Sequence, residues 1–287
     1  MKMMDDLDAV GERFSLGRDE IIKVIQNISN TARNNAISGK DLKRSADDSI
    51  KALKCCLPPA DKNMAKTKAA LLKEIPRFRK ASADQNDATI STQSCLTSID
   101  AFLYFLNHHD TIPWAYWGAL SSINCGAKSK KAGVFDEVEK LMSAHLHFPE
   151  FQNDLFNYIK LCFDAADRSM EAYEKTKQKQ GLLDFADQEA MLLKALEIPS
   201  VQKRFKEQFK VLMVDEFQDT SPLQLSLFLK ISALVEKVIW VGDSKQAIYG
   251  FRGSDAQLIT TVTAALDKPG SNEYLTHLTG QRLTWSR

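Results

Sequence analysis

Lys210-Val211-Leu212-Met213-Val214-Asp215-Glu216-Phe217-Gln218-Asp219-Thr220-Ser221-Pro222 is the stretch on which the fold turns. An apolar run of strand length delivers adjacent carboxylates, and a helix start follows. Ser221 suits an N-cap, and Pro222 suits the first helical position, where the missing N–H has no intrahelical partner to lose. Leu223, Leu227, Ile231 and Leu234 then share one helical face, and a second apolar run, Lys237-Val238-Ile239-Trp240-Val241, completes the pattern. Continuous apolar runs of this length are expected for strands buried on both faces of a parallel sheet. Strand, helix, strand is a βαβ unit. Its crossover is expected to be right-handed, with ligands beyond the carboxyl ends of the strands.

Upstream of about Lys179 the pattern is helical wherever it is readable. Ile21, Ile22, Val24, Ile25 and Ile28 recur at helical spacing, as do Leu96, Ile99, Phe102, Leu103 and Leu106, and Val134, Val138, Leu141 and Met142. The strongest stripe runs Leu155, Phe156, Ile159, Cys162, Phe163, Ala166, Met170, Tyr173, ahead of the charged Glu174–Lys179 run. Breaks are expected at Cys56-Leu57-Pro58-Pro59, at Ile112-Pro113 and over 124–131. The fold class read from these patterns is α/β, a helical part over 1–179 followed by a part with parallel strands over 180–287.

The chain has 287 residues, 44% hydrophobic and 26% charged, with 38 Lys+Arg against 37 Asp+Glu. That composition excludes wholesale disorder, and a net charge of +1 leaves no global positive field for a polyanion, so any nucleic-acid contact has to be local. Cys55, Cys56, Cys95, Cys125 and Cys162 show no CxxC spacing, which argues against a disulfide framework or a zinc site and for a reducing, cytoplasmic home. Asp5, Asp6 and Asp8 stand where a secretory signal would be apolar, and no uninterrupted apolar run reaches the length of a membrane span. The five histidines, among them His108-His109 and His145/His147, have no metal-ligand spacing. Trp114, Tyr116 and Trp117 form an aromatic group whose expected use is core packing, with DNA contact as the other use.

The two strand ends carry the chemistry. Asp215 and Glu216 at the first suit a hydrated magnesium ion, which takes one or two carboxylates plus phosphate oxygens; a solvated acidic turn is the plainer reading. The second runs into Gly242-Asp243-Ser244-Lys245-Gln246-Ala247-Ile248-Tyr249-Gly250-Phe251-Arg252-Gly253-Ser254-Asp255. Tyr249 and Phe251, two apart, face the same way in extended backbone, and with Arg252 they are the ingredients of a stacking platform for unpaired bases. Core burial is the alternative for either ring alone. Ser254 and Gln257 have capping-box spacing, so a helix is expected from Asp255.

Val214 through Gln224, followed by Val241 through Asp255, resembles motifs II and III of the UvrD/Rep/RecB superfamily 1 helicases. Lys245 before Gln246, and Ser221-Pro222-Leu223-Gln224 after the acidic motif, look more like the RecB and AddA branch, the helicase-nuclease subunits. Leu183-Asp184-Phe185-Ala186-Asp187 resembles the segment that precedes motif II in that family. The resemblance implies a helical subdomain, 1B-like, over 1–179 and the C-terminal part of a RecA-like P-loop NTPase domain, 1A-like, over 180–287. It also implies ATP and Mg²⁺ as cofactors, with single-stranded DNA and other helicase-nuclease subunits for partners and no membrane. Asp215 would hold Mg²⁺ through its water shell and Glu216 would orient the attacking water. Gln246 would sense the γ-phosphate with Asp243 beside it in the nucleotide site. Tyr249 and Phe251 would stack on DNA, with Arg252 linking the two sites. Leu283-Thr284-Trp285-Ser286-Arg287 looks like the start of motif IV, making Arg287 a further nucleotide contact.

The phosphate-cradling GxxxxGK[ST] pattern does not occur in these residues. Gly39-Lys40 is followed by Asp41, and Gly126-Ala127-Lys128-Ser129 lacks the glycine before its lysine; both are expected as surface turns. Motifs V and VI are likewise not found. The expectation is a piece of an ATP-dependent, 3′-to-5′ DNA helicase that does not hydrolyse ATP appreciably by itself. Two other readings stay open: a stand-alone module binding single-stranded DNA or protein, and a metal-dependent phosphodiesterase using Asp215, Glu216 and Asp243.

Overall fold

The structure is a computed structural model that describes residues 2–109, 112–133 and 135–243, with Thr261 and Ala264. The chain forms two compact units, residues 1–29 with 38–172, and residues 30–37 with 173–287. Its elements in chain order are α1 (Lys2–Arg13), α2 (Arg18–Asn34), α3 (Gly39–Cys56), α4 (Met64–Asp84), α5 (Ile90–His108), α6 (Trp114–Ser121), α7 (Ala127–Lys131), α8 (Asp136–Met142), α9 (Pro149–Gln180), α10 (Phe185–Ala195), α11 (Pro199–Gln208), β1 (Val211–Val214), α12 (Pro222–Ser232) and β2 (Lys237–Trp240). Short 3-10 turns cover Ser143–His147 and Phe217–Asp219. In coarse outline this is the expected architecture, mostly helical with a small parallel sheet.

The first unit is helical among the described residues. Leu71, Ile75, Phe78, Ile99, Phe102, Trp117, Phe135 and Phe148 form its main core, each at most 3% exposed. Burying a side chain of this size contributes about 1.5–3 kcal/mol. Leu7, Ile21, Ile25, Cys162, Ala165 and Ala166 form a second cluster. Trp114 and Trp117 are buried, at 2% and 0% exposure, while Tyr116 stays 41% exposed and stacks on Phe105. Core packing thus accounts for two of the three rings.

Gly39 and Gly126, expected in surface turns, mark helix starts instead. Gly39 is the first residue of α3, behind a Ser38 cap that accepts from the Asp41 N–H. Gly126 precedes α7, and Ser129 within it is fully buried, donating through its N–H and hydroxyl to Asp87 at 2.9 and 2.7 Å. Donation from Ser129 and Thr89 holds the Asp87 carboxyl well below the usual carboxylate range. A buried carboxylate that gathers N–H and O–H donors from α7 and the α4–α5 loop is a tertiary clamp, which local turn chemistry does not reveal.

In the second unit, β1 and β2 pair in parallel with Val211 opposite Lys237 and Val214 opposite Trp240. Leu212, Leu227, Ile231 and Leu196 pack on one side of the sheet. The other side differs from the expectation of a strand covered on both faces, because Val211 is 49% and Met213 63% exposed. The apolar run predicted the strand correctly; whether each face is covered depends on what packs against it, and among the described residues only one face is covered.

Candidate functional site

The site begins with the end of β1. Val214 is buried, and the Val241 N–H donates to its carbonyl at 2.8 Å, which extends the ladder one step past β2. The chain then turns: Glu216 adopts a left-handed conformation, φ 52° and ψ 43°, and Phe217–Asp219 form one 3-10 turn. The Phe217 N–H donates back to the Val241 carbonyl at 2.9 Å, and Phe217 stacks on Trp240 with ring centroids 4.8 Å apart. Asp215 and Glu216 are therefore presented to solvent at a strand end whose backbone is anchored to its neighbour. The Glu216 N–H donates to the Asp215 carboxylate at 2.9 Å, which orients the Asp215 side chain.

The helix that leaves this turn is capped as its sequence predicts. Ser221 accepts from the Gln224 N–H at 3.2 Å, and the Gln224 side chain accepts from the Ser221 N–H at 3.1 Å, a reciprocal capping box with Pro222 at the first turn. Gln224 also donates to Glu189 of α10 at 2.8 Å, so the capping residue ties two helices together.

Asp243 stands at the end of the second strand, and the parallel pairing brings it beside the first. Its N–H donates to the Gln218 side-chain oxygen at 3.0 Å, and the Gln218 amide nitrogen donates to the Glu216 carboxylate. Asp215, Glu216 and Asp243 are all exposed, whereas Gln218 between them is 4% exposed. Of the candidate residues, the structure thus brings Asp215, Glu216 and Asp243 to one edge. Gln246, Tyr249, Phe251, Arg252 and Arg287, and the start of the helix expected from Asp255, lie outside the described residues, as does Val134; Thr261 and Ala264 are described and helical. Gln218 was missed as a functional candidate in the sequence. Its signal was its place inside the Val214–Gln224 motif segment, two residues after Glu216 and between two apolar elements.

The exposed carboxylates fit a cation held mainly by water and phosphate. Among the described residues, no group of three or more His, Cys, Asp or Glu side chains is arranged as a protein cage for a metal. Hydrated magnesium needs no such cage, since one or two carboxylates suffice beside phosphate oxygens.

A second constellation surrounds the Leu183–Asp187 segment. The Asp184 and Asp187 side chains cap α10 reciprocally, each accepting the other's N–H at 3.1 and 2.9 Å. Lys177, at the end of α9, is 4% exposed and bonds Asp187 at 2.6 Å, Glu174 at 2.7 Å and Asp184 at 3.2 Å. Arg33 also pairs with Asp184, and both cations lie over the Tyr173 ring. Burial pushes the Lys177 ammonium down, but the carboxylates of Asp187, Glu174 and Asp184 outweigh it and hold the group above its ordinary value. The clamp fixes a turn on which Phe185 is 84% exposed.

A family model described as the UvrD/REP helicase N-terminal domain matches residues 25–267. The chain belongs to this family. Its relatives include DNA helicase II of Escherichia coli, 37% identical over 93 residues, covering 31% of this chain and 12% of the relative. An ATP-dependent helicase/nuclease subunit from Leuconostoc mesenteroides is 28% identical over 151 residues, covering 51% and 12%. The RecBCD enzyme subunit RecB of Mycobacterium tuberculosis is 38% identical over 89 residues, covering 30% and 8%. The matched stretches thus span about a tenth of the length of these relatives. UvrD/REP family membership is what the two motif segments predicted. Among the described residues no helix is long and apolar enough to cross a membrane.

Proposed function

We propose that this chain is part of an ATP-dependent DNA helicase of the UvrD/RecB type that moves 3′ to 5′ along single-stranded DNA in repair or recombination. The observation that carries the reading is the shared edge: Asp215 and Glu216 end one strand, and Asp243 ends its parallel neighbour, joined through Gln218. Open parallel sheets bind phosphate ligands at this edge.

In the proposed reaction, Asp215 would hold the water shell of a magnesium ion, which would supply charge neutralisation at the terminal phosphates of ATP, and Glu216 would orient the attacking water, as positioning chemistry requires. Gln246 and Arg287 contact the nucleotide, and Tyr249, Phe251 and Arg252 form the DNA track. Residues 1–179 serve as the 1B-like helical subdomain and 180–287 as the C-terminal part of the 1A-like domain. The helicase/nuclease and RecBCD names among the relatives support other helicase-nuclease subunits as partners. These roles place the protein in the cytoplasm with the DNA.

The 287 residues contain no GxxxxGK[ST], so the chain by itself is proposed not to turn over ATP. Phosphate release is measured with and without a single-stranded oligonucleotide, for the chain and for Glu216→Gln. Background release in all cases is expected; DNA-stimulated release abolished by Glu216→Gln overturns the proposed inactivity. The hydrolytic role of Glu216 is tested by adding the equivalent change to a complete motor that contains this segment. Undiminished turnover there removes the role.

A further inference from the structure

Gln218 joins the two strand ends through a single amide. Its nitrogen donates to the Glu216 carboxylate, and its oxygen accepts the Asp243 N–H at 3.0 Å. An amide has one donor end and one acceptor end, so a carboxylate or a hydrocarbon of the same length cannot make both bonds. The side chain has little room to do anything else. It is 4% exposed, and a methyl group added at Gly242 would lie 3.1 Å from its oxygen and 3.3 Å from its backbone nitrogen. Its backbone is held equally firmly, since Phe217 donates to Val241 at 2.9 Å and Asp219 donates to the Glu216 carbonyl at 2.9 Å. Glu216 itself is exposed and makes its side-chain bond to this amide.

We infer that Gln218 is a positioning residue that couples the Glu216 side chain to the backbone at Asp243. Movement of the second strand end shifts the acceptor oxygen and thereby reorients the amide that steers Glu216; a change at Glu216 travels the opposite way. The coupling stands on geometry alone. Its mechanistic meaning rests on the proposed function: if Glu216 orients the attacking water, then displacement at the start of the Asp243–Asp255 segment and alignment of that water are one event. A filler role for Gln218 would satisfy buried polar atoms without transmitting anything.

The test is made on the ¹⁵N-labelled chain, without nucleotide, by recording the amide shift and hydrogen exchange of Asp243. Glu216→Ala in the native background is expected to move the Asp243 resonance and speed its exchange about fivefold, the effect of weakening one net hydrogen bond. Gln218→Leu is expected to do the same, and Glu216→Ala added to it is expected to change nothing further. Retained protection of the Val241 N–H, which bonds Val214, reports that the sheet is intact. Should Gln218→Leu lose that protection, Gln218→Glu takes its place: it keeps the acceptor for Asp243 but lacks the donor for Glu216. Asp243 is then expected to stay protected and to ignore Glu216→Ala. An Asp243 amide that never responds to Glu216→Ala, or responds equally when residue 218 lacks its donor, overturns the inference. ATP turnover does not enter this measurement, so failure of the hydrolytic reading is told apart from failure of the coupling.

Discussion

Glu216 is held in a backbone conformation that an L-residue avoids, and the strain has a measurable sign. At φ 52° and ψ 43° the Cβ crowds the following carbonyl, which costs roughly 1–2 kcal/mol for a residue other than glycine. Glycine has no Cβ, but its looser unfolded chain costs about 0.5–1 kcal/mol. Glu216→Gly is therefore expected to be more stable than Glu216→Ala by about 0.5–1 kcal/mol, a two- to fivefold difference in a local opening equilibrium. Both variants lose the bond to Gln218 and both remove the charge, so their difference isolates the backbone. The assay is native-state hydrogen exchange of the Val241 and Phe217 amides, which bond Val214 and Val241 across the strand ends at 2.8 and 2.9 Å. Slower exchange in the glycine variant supports the reasoning. Equal or faster exchange refutes it, since no strain would then be stored at this residue.

Lys177→Met strands Asp187 and leaves Asp184 paired with Arg33 alone, their side chains being 18% and 27% exposed. Breaking a fully buried pair costs about 3–5 kcal/mol; with water reaching these carboxylates the loss is expected at about 2–3 kcal/mol, or thirty- to 150-fold faster amide exchange over 185–195. A change below about threefold refutes the clamp. Asp87 has a folded pKa depressed below 3.8, so the stability it contributes is present above that value and lost as pH falls toward the folded pKa. The urea midpoint of the helical signal should exceed that of Asp87→Asn at pH 7, with the gap narrowing below about pH 4; a gap that widens in acid refutes the assignment. Tyr249→Ala with Phe251→Ala is expected to weaken binding of a fluorescent oligothymidylate at least about fivefold, since stacking contributes roughly 1–3 kcal/mol per base. Unchanged affinity removes the DNA track.

Local chemistry alone determined the βαβ unit, the capped start of α12, the long helix α9 and the acidic strand ends. These features follow from neighbours in sequence: apolar runs of strand length, a Ser-Pro helix start, a 3.6-residue stripe. The family was legible for the same reason, since residues 214–224 and 241–255 are contiguous. Tertiary structure decided what those neighbours touch. Lys177 belongs to the charged Glu174–Lys179 run, yet it is buried because Asp184 and Asp187, across a turn, supply the charge that compensates its desolvation. Arg33 reaches the same carboxylate from 151 residues away. Gln218 became a link between two strands only because parallel pairing carries Asp243 to its oxygen. Such contacts join groups far apart in the chain, and the energy that selects them comes from burial and mutual satisfaction of charge, for which no local pattern is required.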